Sequence, residues 1–381
     1  MYLSNRIKII CVVGTRPEAI KMAPLIIALR STSWASVRIV STGQHPVLVE
    51  KMLSHFSLAP DIICEVMAPN QSLSKLTIRL LGELDRCFQA EKPDIVIGQG
   101  DTTSVMAAAL AAFYLRIPFA HVEAGLRTRD YDNPFPEEMN RVVVGNMARW
   151  HFAPTDIARN NLIEEGKAAD TIHVTGNTVV DALLYTADLC PSPVSSEFKK
   201  SRMILFTAHR RENIGEPFFE ICRAARHLAD VRNDIFILFP VHPNPAIKNA
   251  AYEYLSDHPR IHLVPPLDYV DFVAAMKSAF FILTDSGGVQ EEAPSLGKPV
   301  LVLRNETERP EGIDAGVTKL VGCDFDSIVN SSLQLLDDDA LYQSFSSRNS
   351  PYGDGRASAR IVDILQEALT KSSYAHSSDR L

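Results

Sequence analysis

The fold of this chain is decided by the stretch Phe280-Phe281-Ile282-Leu283-Thr284-Asp285-Ser286-Gly287-Gly288-Val289-Gln290. An apolar run of strand length ends in small residues and passes directly into a helical pattern. Such a turn leaves backbone N–H groups at the helix start, where the positive end of the helix dipole favours a phosphate. An ordinary strand–helix turn capped by Ser286 explains the same residues, so the interpretation depends on similar turns elsewhere in the chain.

Short apolar, β-branched segments alternate with helical patterns along almost the whole chain. Parallel strands that are covered by helices on both faces have this composition. The predicted strands are 7–13, 37–42, 95–98, 118–122, 151–153 and 173–175 in a first series, and 203–207, 235–240, 261–264, 280–284 and 300–303 in a second. The sequence therefore predicts an α/β protein with two doubly wound, Rossmann-like parallel sheets that face each other across a cleft.

A Pro- and Ser-rich segment separates the two series and is typical of a linker. We place an N-terminal domain at residues 1–185, the linker at 186–200 and a C-terminal domain at 201–355. The last residues, 371–381, are polar and rich in serine, and we expect them to be disordered.

The composition is that of a soluble globular enzyme with more than one core: 381 residues, 46% hydrophobic and 22% charged. A net charge of −8 argues against a general nucleic-acid binder, and no apolar run approaches the ~20 residues of a membrane span. Six widely spaced cysteines and the absence of a secretory pattern after Met1 predict a cytoplasmic protein. The histidines lack metal-ligand spacing and no GxGxxG motif follows the first strand, so we expect no metal and no cofactor.

Charged residues occupy positions beyond the carboxyl ends of predicted strands, where open α/β sheets bind their ligands. Arg16 and Lys21 follow the first strand at the start of a helix. Because the positive end of the helix dipole repels cations, their position indicates a bound anion that both residues share. The alternative is that they are ordinary surface charges. Two further strands end on Asp101 and Glu123. If these strands pair, the carboxylates lie on one rim, where mutual repulsion raises one pKa and allows acid–base catalysis. A helix N-cap is the alternative for Asp101.

Three weaker signals lie at other strand ends and helix starts. Glu137 opens a helix, although first-turn glutamates are common for dipole reasons. His209 and Arg210 end the first strand of the second domain and have the chemistry to face a phosphate or a sugar, as does His242 at the end of the next strand. Such clusters are also frequent on protein surfaces.

Nine segments, taken in this order, resemble the non-hydrolysing UDP-N-acetylglucosamine 2-epimerases, which have the two-domain GT-B type of fold. They are GTRPEAIKMAPL (14–25), GDTTS (100–104), HVEAGLRT (121–128), PFPEEMNR (134–141), TGNTVVDAL (175–183), AHRREN (208–213), DSGGVQEEAPSLGKPVLVLR (285–304), TERPEG (307–312) and PYGDG (351–355). The likeness spans about residues 7–367. It implies a homodimer without cofactor, and a helix at 356–370 that crosses back to pack on the first domain.

The resemblance also implies roles for individual residues. It assigns the uridine and diphosphate to Arg16, Lys21, His209, Ser286, Gly287, Gly288 and Arg309. It assigns a ribose hydroxyl to Glu292 and the uracil pocket to Phe272. It assigns catalysis to Asp101, Glu123, Glu137 and His209. Leu267 stands where the family usually has a glutamine that contacts uracil, so this contact is in doubt.

The implied reaction is reversible epimerisation at C2 of UDP-N-acetylglucosamine, by loss of UDP to a 2-acetamidoglucal and its return. Alternatives are a hydrolysing epimerase that releases UDP and N-acetylmannosamine, a GT-B glycosyltransferase, and a non-enzymatic sensor of sugar nucleotides. A sensor has no need of the carboxylates, and a glycosyltransferase needs an acceptor pocket instead. The products formed from UDP-N-acetylglucosamine alone discriminate among these functions.

Several family members bind a second substrate molecule in a regulatory pocket. Gln44, Glu137, Arg210 and His242 match this pocket. Two positions depart from the family pattern, because Val47 replaces a usual Gln and Asn70 a usual Arg. We therefore expect weak or absent activation by the substrate.

Overall fold

The computed structural model describes residues 6–190, 201–307, 309–346 and 350–378. These residues fall into two compact units. One comprises the described residues up to Ala182 together with those from Gly355 onwards, and the other those from Leu183 to Asp354. Most of the predicted linker, residues 191–200, lies outside the described residues, as does the end of the predicted tail, 379–381.

The first unit is built on a parallel sheet that has seven strands among the described residues, in the order β3-β2-β1-β4-β5-β6-β7. The strands are β1 (Ile7–Val13), β2 (Ala35–Ser41), β3 (Ile62–Ile63), β4 (Ile95–Gln99), β5 (Phe119–Val122), β6 (Trp150–Ala153) and β7 (Ile172–Val174). Six of them start and end within two residues of the predicted strands. β3 was not predicted, because it is only two residues long and gives no periodic signal.

Helices connect these strands and cover the sheet. They are α1 (Arg16–Arg30), α2 (Pro46–His55), α3 (Leu73–Glu91), α4 (Thr103–Tyr114), α5 (Glu137–Met147), α6 (Asp156–Glu164) and α7 (Thr178–Leu189). The last five residues of β1 and all of β4 are buried, which is why these strands read as continuous apolar runs. The alanine-rich α4 is a buried helix, as the sequence predicts, and packs against α3 and α5.

The second unit has a parallel sheet with six described strands in the order β10-β9-β8-β11-β12-β13. The strands are β8 (Arg202–Thr207), β9 (Ile235–Pro240), β10 (Ile261–Val264), β11 (Phe281–Thr284), β12 (Val300–Val302) and β13 (Thr318–Leu320). The helices are α8 (Glu216–Val231), α9 (Pro245–Leu255), α10 (Tyr269–Ser278), α11 (Gly287–Glu292), α12 (Pro310–Asp314), α13 (Phe325–Asp337) and α14 (Asp339–Ser346). The short, lysine-containing β13 was not predicted.

Both sheets reverse their strand order beside their first strand. In the first unit β1 lies between β2 and β4, and in the second β8 lies between β9 and β11. Each reversal is a topological switch point, where the loops that leave neighbouring strands diverge to opposite faces and open a crevice for a ligand. The predicted fold class, two doubly wound parallel α/β units, is confirmed.

The C-terminal helix α15 (Ala357–Ser378) belongs to the first unit and packs on α1. It continues to Ser378, whereas the sequence predicts a helix that ends at 370 and a disordered tail. Residues 371–378 contain neither Gly nor Pro, so nothing in the local sequence terminates the helix. No helix in the described part of the chain is both long and apolar enough to span a membrane.

The start of α15 is capped by a residue from α7. The buried Asp181 carboxylate accepts the N–H of Ala357 at 3.2 Å and that of Ser358 at 2.8 Å. The Arg360 side chain adds a hydrogen bond to the carbonyl oxygen of Thr175 at 3.0 Å. Two of the N–H groups that every helix start leaves without an intrahelical partner are thus satisfied by a residue that is distant in sequence.

We expect Asp181→Ala to lower the free energy of unfolding by about 2–4 kcal/mol, because two buried N–H groups lose a charged acceptor. Asp181→Asn keeps one acceptor oxygen and should lose less. Urea unfolding followed by circular dichroism measures both changes. Asp188→Ala, an exposed substitution on the same helix, is the matched control; equal midpoints for Asp181→Ala and this control would contradict the capping role.

Candidate functional site

The turn after β1 is packed closely enough to require glycine at position 14. A Cβ on Gly14 would lie 2.4 Å from the Ser104 hydroxyl and 2.6 Å from that of Thr42. These hydroxyls are 2.8 Å apart, and Ser104 donates to Gln44 at 2.8 Å. Arg16, the first residue of α1, is exposed beside this turn.

Glu18 fixes the same turn from within the first turn of α1. One carboxylate oxygen accepts the Gly14 N–H at 2.6 Å and the other accepts the Thr15 hydroxyl at 3.1 Å. Burial raises the pKa of Glu18 to about 7, against the opposing effect of its hydrogen bonds, the largest from the Thr102 side chain. Thr102 follows Asp101, so Glu18 connects the turn after β1 to the turn after β4.

The Glu123 carboxylate lies at the end of β5 and is held by side chains from three other segments. Lys21 Nζ lies 2.7 Å from each of its oxygens, the Gln99 amide donates to one of them, and Asn177 Nδ2 lies 3.4 Å from the other. The side chain is 6% exposed, and the backbone adopts a positive φ of 62°. A non-glycine residue in this conformation is uncommon and is often found at functional sites.

Asp101 is paired with Arg141, whose Nη2 lies 2.6 Å from its carboxylate. The alternative role of Asp101 as a helix N-cap is wrong, because Thr102 is the N-cap of α4 and its hydroxyl accepts the Val105 N–H. Burial is the main cause that raises the pKa of Asp101. The Glu123 and Glu137 carboxylates act in the same direction, whereas Arg141 and Lys21 oppose it.

Glu137 and Glu138 are adjacent in sequence but have different environments. Glu137 is partly exposed and has no hydrogen-bond or ion-pair partner among the described residues. Glu138 is buried, accepts the N–H groups of Thr128 and Arg129 at 3.1 and 2.9 Å, and lies 3.3 Å from Arg141. Glu138 therefore anchors a loop, while Glu137 is available to a ligand.

At the switch point of the second unit, His209 follows β8 and Asp285 follows β11. The buried Asp285 carboxylate accepts the backbone N–H groups of both His209 and Arg210. The His209 ring stacks on His242, with centroids 5.6 Å apart. Burial lowers the pKa of His209; Asp285 opposes this shift, and His242 and Arg210 add to it.

The Ser286-Gly287-Gly288 turn begins α11 immediately after Asp285. Ser286 occupies the N-cap position, but its hydroxyl makes no capping hydrogen bond. A Cβ on Gly287 would lie 3.5 Å from the Arg210 guanidinium, so this cation lies over the start of α11. The backbone N–H groups at the start of α11 and the guanidinium of Arg210 together form a site that can bind an anion.

The remaining candidates of the second unit are Arg309, Phe272 and Glu292. Arg309 donates through Nε to Glu291, and its backbone N–H donates to Thr307 at 3.1 Å. Phe272 on α10 and Glu292 at the end of α11 are both partly exposed. Among the described residues, no group of three or more His, Cys, Asp or Glu side chains is arranged to hold a metal ion.

The residues matched to a regulatory pocket are divided between the units. Gln44 lies beside the β1 turn of the first unit, and Arg210 and His242 lie beside His209 in the second. Of the two departures, Val47 is 76% exposed and Asn70 has a positive φ of 53°.

Sequence reasoning missed five residues of these two switch points. Gln99 and Asp285 each follow a predicted strand directly, so their position at a strand end could have identified them as candidates. Glu18 forms part of a Thr-x-x-Glu capping pattern with Thr15. Arg141 and Asn177 carry no local signal, since each lies on or just before a helix and meets its carboxylate partner only in the folded chain.

Comparison with known proteins shows the family to which the chain belongs. The family model described as UDP-N-acetylglucosamine 2-epimerase matches residues 27–366. The UDP-N-acetylglucosamine 2-epimerase of Bacillus subtilis is 48% identical over 362 residues, 95% of each protein. That of Escherichia coli K12 is 46% identical and covers 94% of this chain and 98% of its own.

A solved structure gives the same result. The crystal structure of UDP-GlcNAc 2-epimerase from Neisseria meningitidis bound to UDP-GlcNAc superposes with a TM-score of 0.83 at 41% identity, over 95% of this chain and all of that one. The agreement in sequence and in fold extends over both units. The chain belongs to the UDP-N-acetylglucosamine 2-epimerase family.

Proposed function

We propose that the protein interconverts UDP-N-acetylglucosamine and UDP-N-acetylmannosamine without net hydrolysis. The observation that carries this proposal is the Asp101 carboxylate beyond β4, whose pKa the Glu123 and Glu137 carboxylates both act to raise. The Neisseria relative, solved with UDP-GlcNAc bound, supports the choice of substrate. In this proposal the first unit acts on the sugar and the second binds uridine diphosphate.

The chemistry explains why several carboxylates are useful. C2 of the sugar carries an acetamido group and no adjacent carbonyl, so direct loss of its proton gives a poorly stabilised carbanion. Breaking the C1–O bond as the C2 proton leaves instead forms a neutral 2-acetamidoglucal and UDP. Return of a proton to the opposite face of C2, with re-formation of the C1–O bond to UDP, gives the epimer.

The environments of the carboxylates suggest their roles. Lys21 and two amides hold the Glu123 carboxylate in one position, which suits a base. Glu137 is partly exposed and accessible to a second proton transfer. Arg141 is paired with Asp101, whose pKa both glutamates act to raise. We propose that Glu123 and Glu137 exchange protons with the substrate and that Asp101 orients or tunes them.

The departing diphosphate needs positive charge. The start of α11, with Arg210 above Gly287 and His209 beside it, offers such a site in the second unit. Arg16, exposed beside the β1 turn, offers a further cation in the first unit. Preorganised donors of this kind stabilise charge that develops in the transition state.

In D₂O, the protein incubated with UDP-N-acetylglucosamine alone should form UDP-N-acetylmannosamine that carries deuterium at C2. Mass spectrometry and proton NMR identify the product and the labelled position. Product without solvent deuterium would exclude proton exchange at C2. Free N-acetylmannosamine as the main product would show a hydrolysing enzyme.

Glu123→Gln should lower kcat by about 100- to 10,000-fold, since the amide keeps the shape of the side chain but does not accept the C2 proton. The exchange of deuterium into UDP-N-acetylglucosamine should fall with it. Glu65→Gln, the same change at an exposed position of the first unit, is the control. Wild-type exchange in Glu123→Gln would remove Glu123 from the proton transfer.

We also propose that substrate activation is weak in this protein. Replacing an arginine by Asn70 removes a charged fork that can bind a diphosphate, and Val47 for Gln removes a polar partner. A lost hydrogen bond to a charged group costs ~1.5–3 kcal/mol, and ~1.4 kcal/mol is tenfold in affinity. Effector binding should therefore weaken by well over tenfold.

The kinetics of the reverse reaction test this expectation. Started from UDP-N-acetylmannosamine alone, the wild-type protein should show near-hyperbolic kinetics without a lag. Val47→Gln combined with Asn70→Arg should introduce activation by UDP-N-acetylglucosamine, and Val47→Ala serves as the control. A long lag in the wild type, abolished by a trace of UDP-N-acetylglucosamine, would contradict the proposal.

A further inference from the structure

The two oxygens of Asp285 have different surroundings. Oδ2 accepts the backbone N–H groups of His209 and Arg210, each at 2.9 Å, and the side-chain amide of Asn213 at 3.0 Å. Oδ1 lies 3.1 Å from the His209 N–H and 3.4 Å from Nδ1 of the His209 imidazole. Oδ1 is therefore the oxygen that faces the imidazole ring.

The His209 ring is confined on two sides and open on another. It stacks on His242 with an interplanar angle of 20°, and its Nδ1 edge faces the fully buried carboxylate. The side chain is nevertheless 39% exposed. An ionised carboxylate only accepts hydrogen bonds, so it favours a proton on the ring nitrogen that faces it.

We propose that Asp285 is a positioning residue that holds His209 in the Nδ1–H tautomer, so that Nε2 is directed to the diphosphate of the substrate. The tautomer follows from the contacts within the second unit; the identity of the ligand rests on the proposed function. A proton taken up at Nε2 makes the ring a donor there, and the buried Asp285 carboxylate balances the charge.

Burial and three neighbouring groups act on the pKa of His209. Burial lowers this pKa, the ring of His242 and the guanidinium of Arg210 act in the same direction, and Asp285 opposes them. His242 Nδ1 accepts the N–H of Asn244 at 3.2 Å. Because burial disfavours the charged ring when no ligand is bound, an anion at Nε2 should draw a proton onto His209.

Asp285→Asn makes a specific test possible, because an amide has one acceptor oxygen and one donor group. Three donors meet at the Oδ2 position, so the amide oxygen should occupy it. The NH₂ group then stands at the Oδ1 position and points at the imidazole. His209 Nδ1 must become an acceptor, and the proton should move to Nε2.

The full-length protein, labelled with ¹⁵N-histidine, permits direct observation of the tautomer by long-range ¹H–¹⁵N correlation NMR. His209→Gln assigns the signals. We expect the Nδ1–H tautomer for His209 in the wild type and the Nε2–H tautomer in Asp285→Asn. An Nε2–H tautomer in the wild type, or an unchanged tautomer in the folded variant, would overturn the proposal. If the variant does not fold, the wild-type spectrum alone decides.

Activity supplies a second measurement. Asp285→Asn should lower kcat/KM by about tenfold or more, in the manner of outer residues that orient a functional histidine. Added to His209→Gln, it should cause no further loss, because the amide oxygen keeps the contacts of Oδ2 with the backbone and the substitution changes the oxygen that faces the His209 ring. Additive losses would indicate a separate structural effect and contradict the positioning role.

Asp324→Asn is the matched control in the same unit. Asp324 is the exposed N-cap of α13 and accepts the Ser327 N–H at 3.1 Å, and asparagine caps helices as well as aspartate. This variant should keep the wild-type tautomer and rate. If the reaction itself proves different from the proposed epimerisation, the NMR result still stands, so the two failures are distinguishable.

Discussion

Buried carboxylates that accept backbone N–H groups hold the loops of this protein in place. Four such carboxylates are described above. Glu18 accepts a hydrogen bond from the backbone N–H of Gly14, and Glu138 accepts those of Thr128 and Arg129. Asp181 accepts the N–H groups of the first two residues of α15, and Asp285 accepts those of His209 and Arg210. Burying an ionised carboxylate is costly unless charge-assisted hydrogen bonds compensate it. Backbone donors meet this requirement only when the loop adopts one conformation. A loop that supplies the N–H groups for a buried carboxylate is therefore held in the one conformation that brings these groups to the carboxylate.

This constraint acts where the two sheets reverse their order. A switch point opens a crevice, but the loops that border it have few apolar contacts to fix them. In the first unit Glu18 connects the turn after β1 to Thr102 after β4. In the second, Asp285 connects the end of β11 to the turn after β8. In both units the carboxylate joins the two strands between which the order reverses, so the crevice is preorganised.

The sequence predicted the strands well, because buried parallel strands are apolar on both faces and leave a continuous signal. It missed β3 and β13, which are two and three residues long and whose pairing depends on neighbours that are distant in sequence. The end of α15 was also missed. Asp101 and Thr102 are both good N-cap residues, and only the folded turn distinguishes them. The carboxylates that accept backbone N–H groups were not predicted, because every residue except proline has such a group and the sequence does not show which one they bind.

The different environments of the adjacent residues Glu137 and Glu138 could not be predicted from the sequence. Glu137 and Glu138 have the same chemistry, and one helical step turns Glu138 into the interior, where two N–H groups hold it, and leaves Glu137 partly exposed. Backbone donors are fixed, so a carboxylate bound to them is held in one place. Glu123 and Asp101 are held instead by Lys21 and Arg141, whose long side chains have several rotatable bonds. Partners of this second kind suit the proton transfer that we propose for Glu123, whereas a carboxylate that fixes a loop needs partners of the first kind.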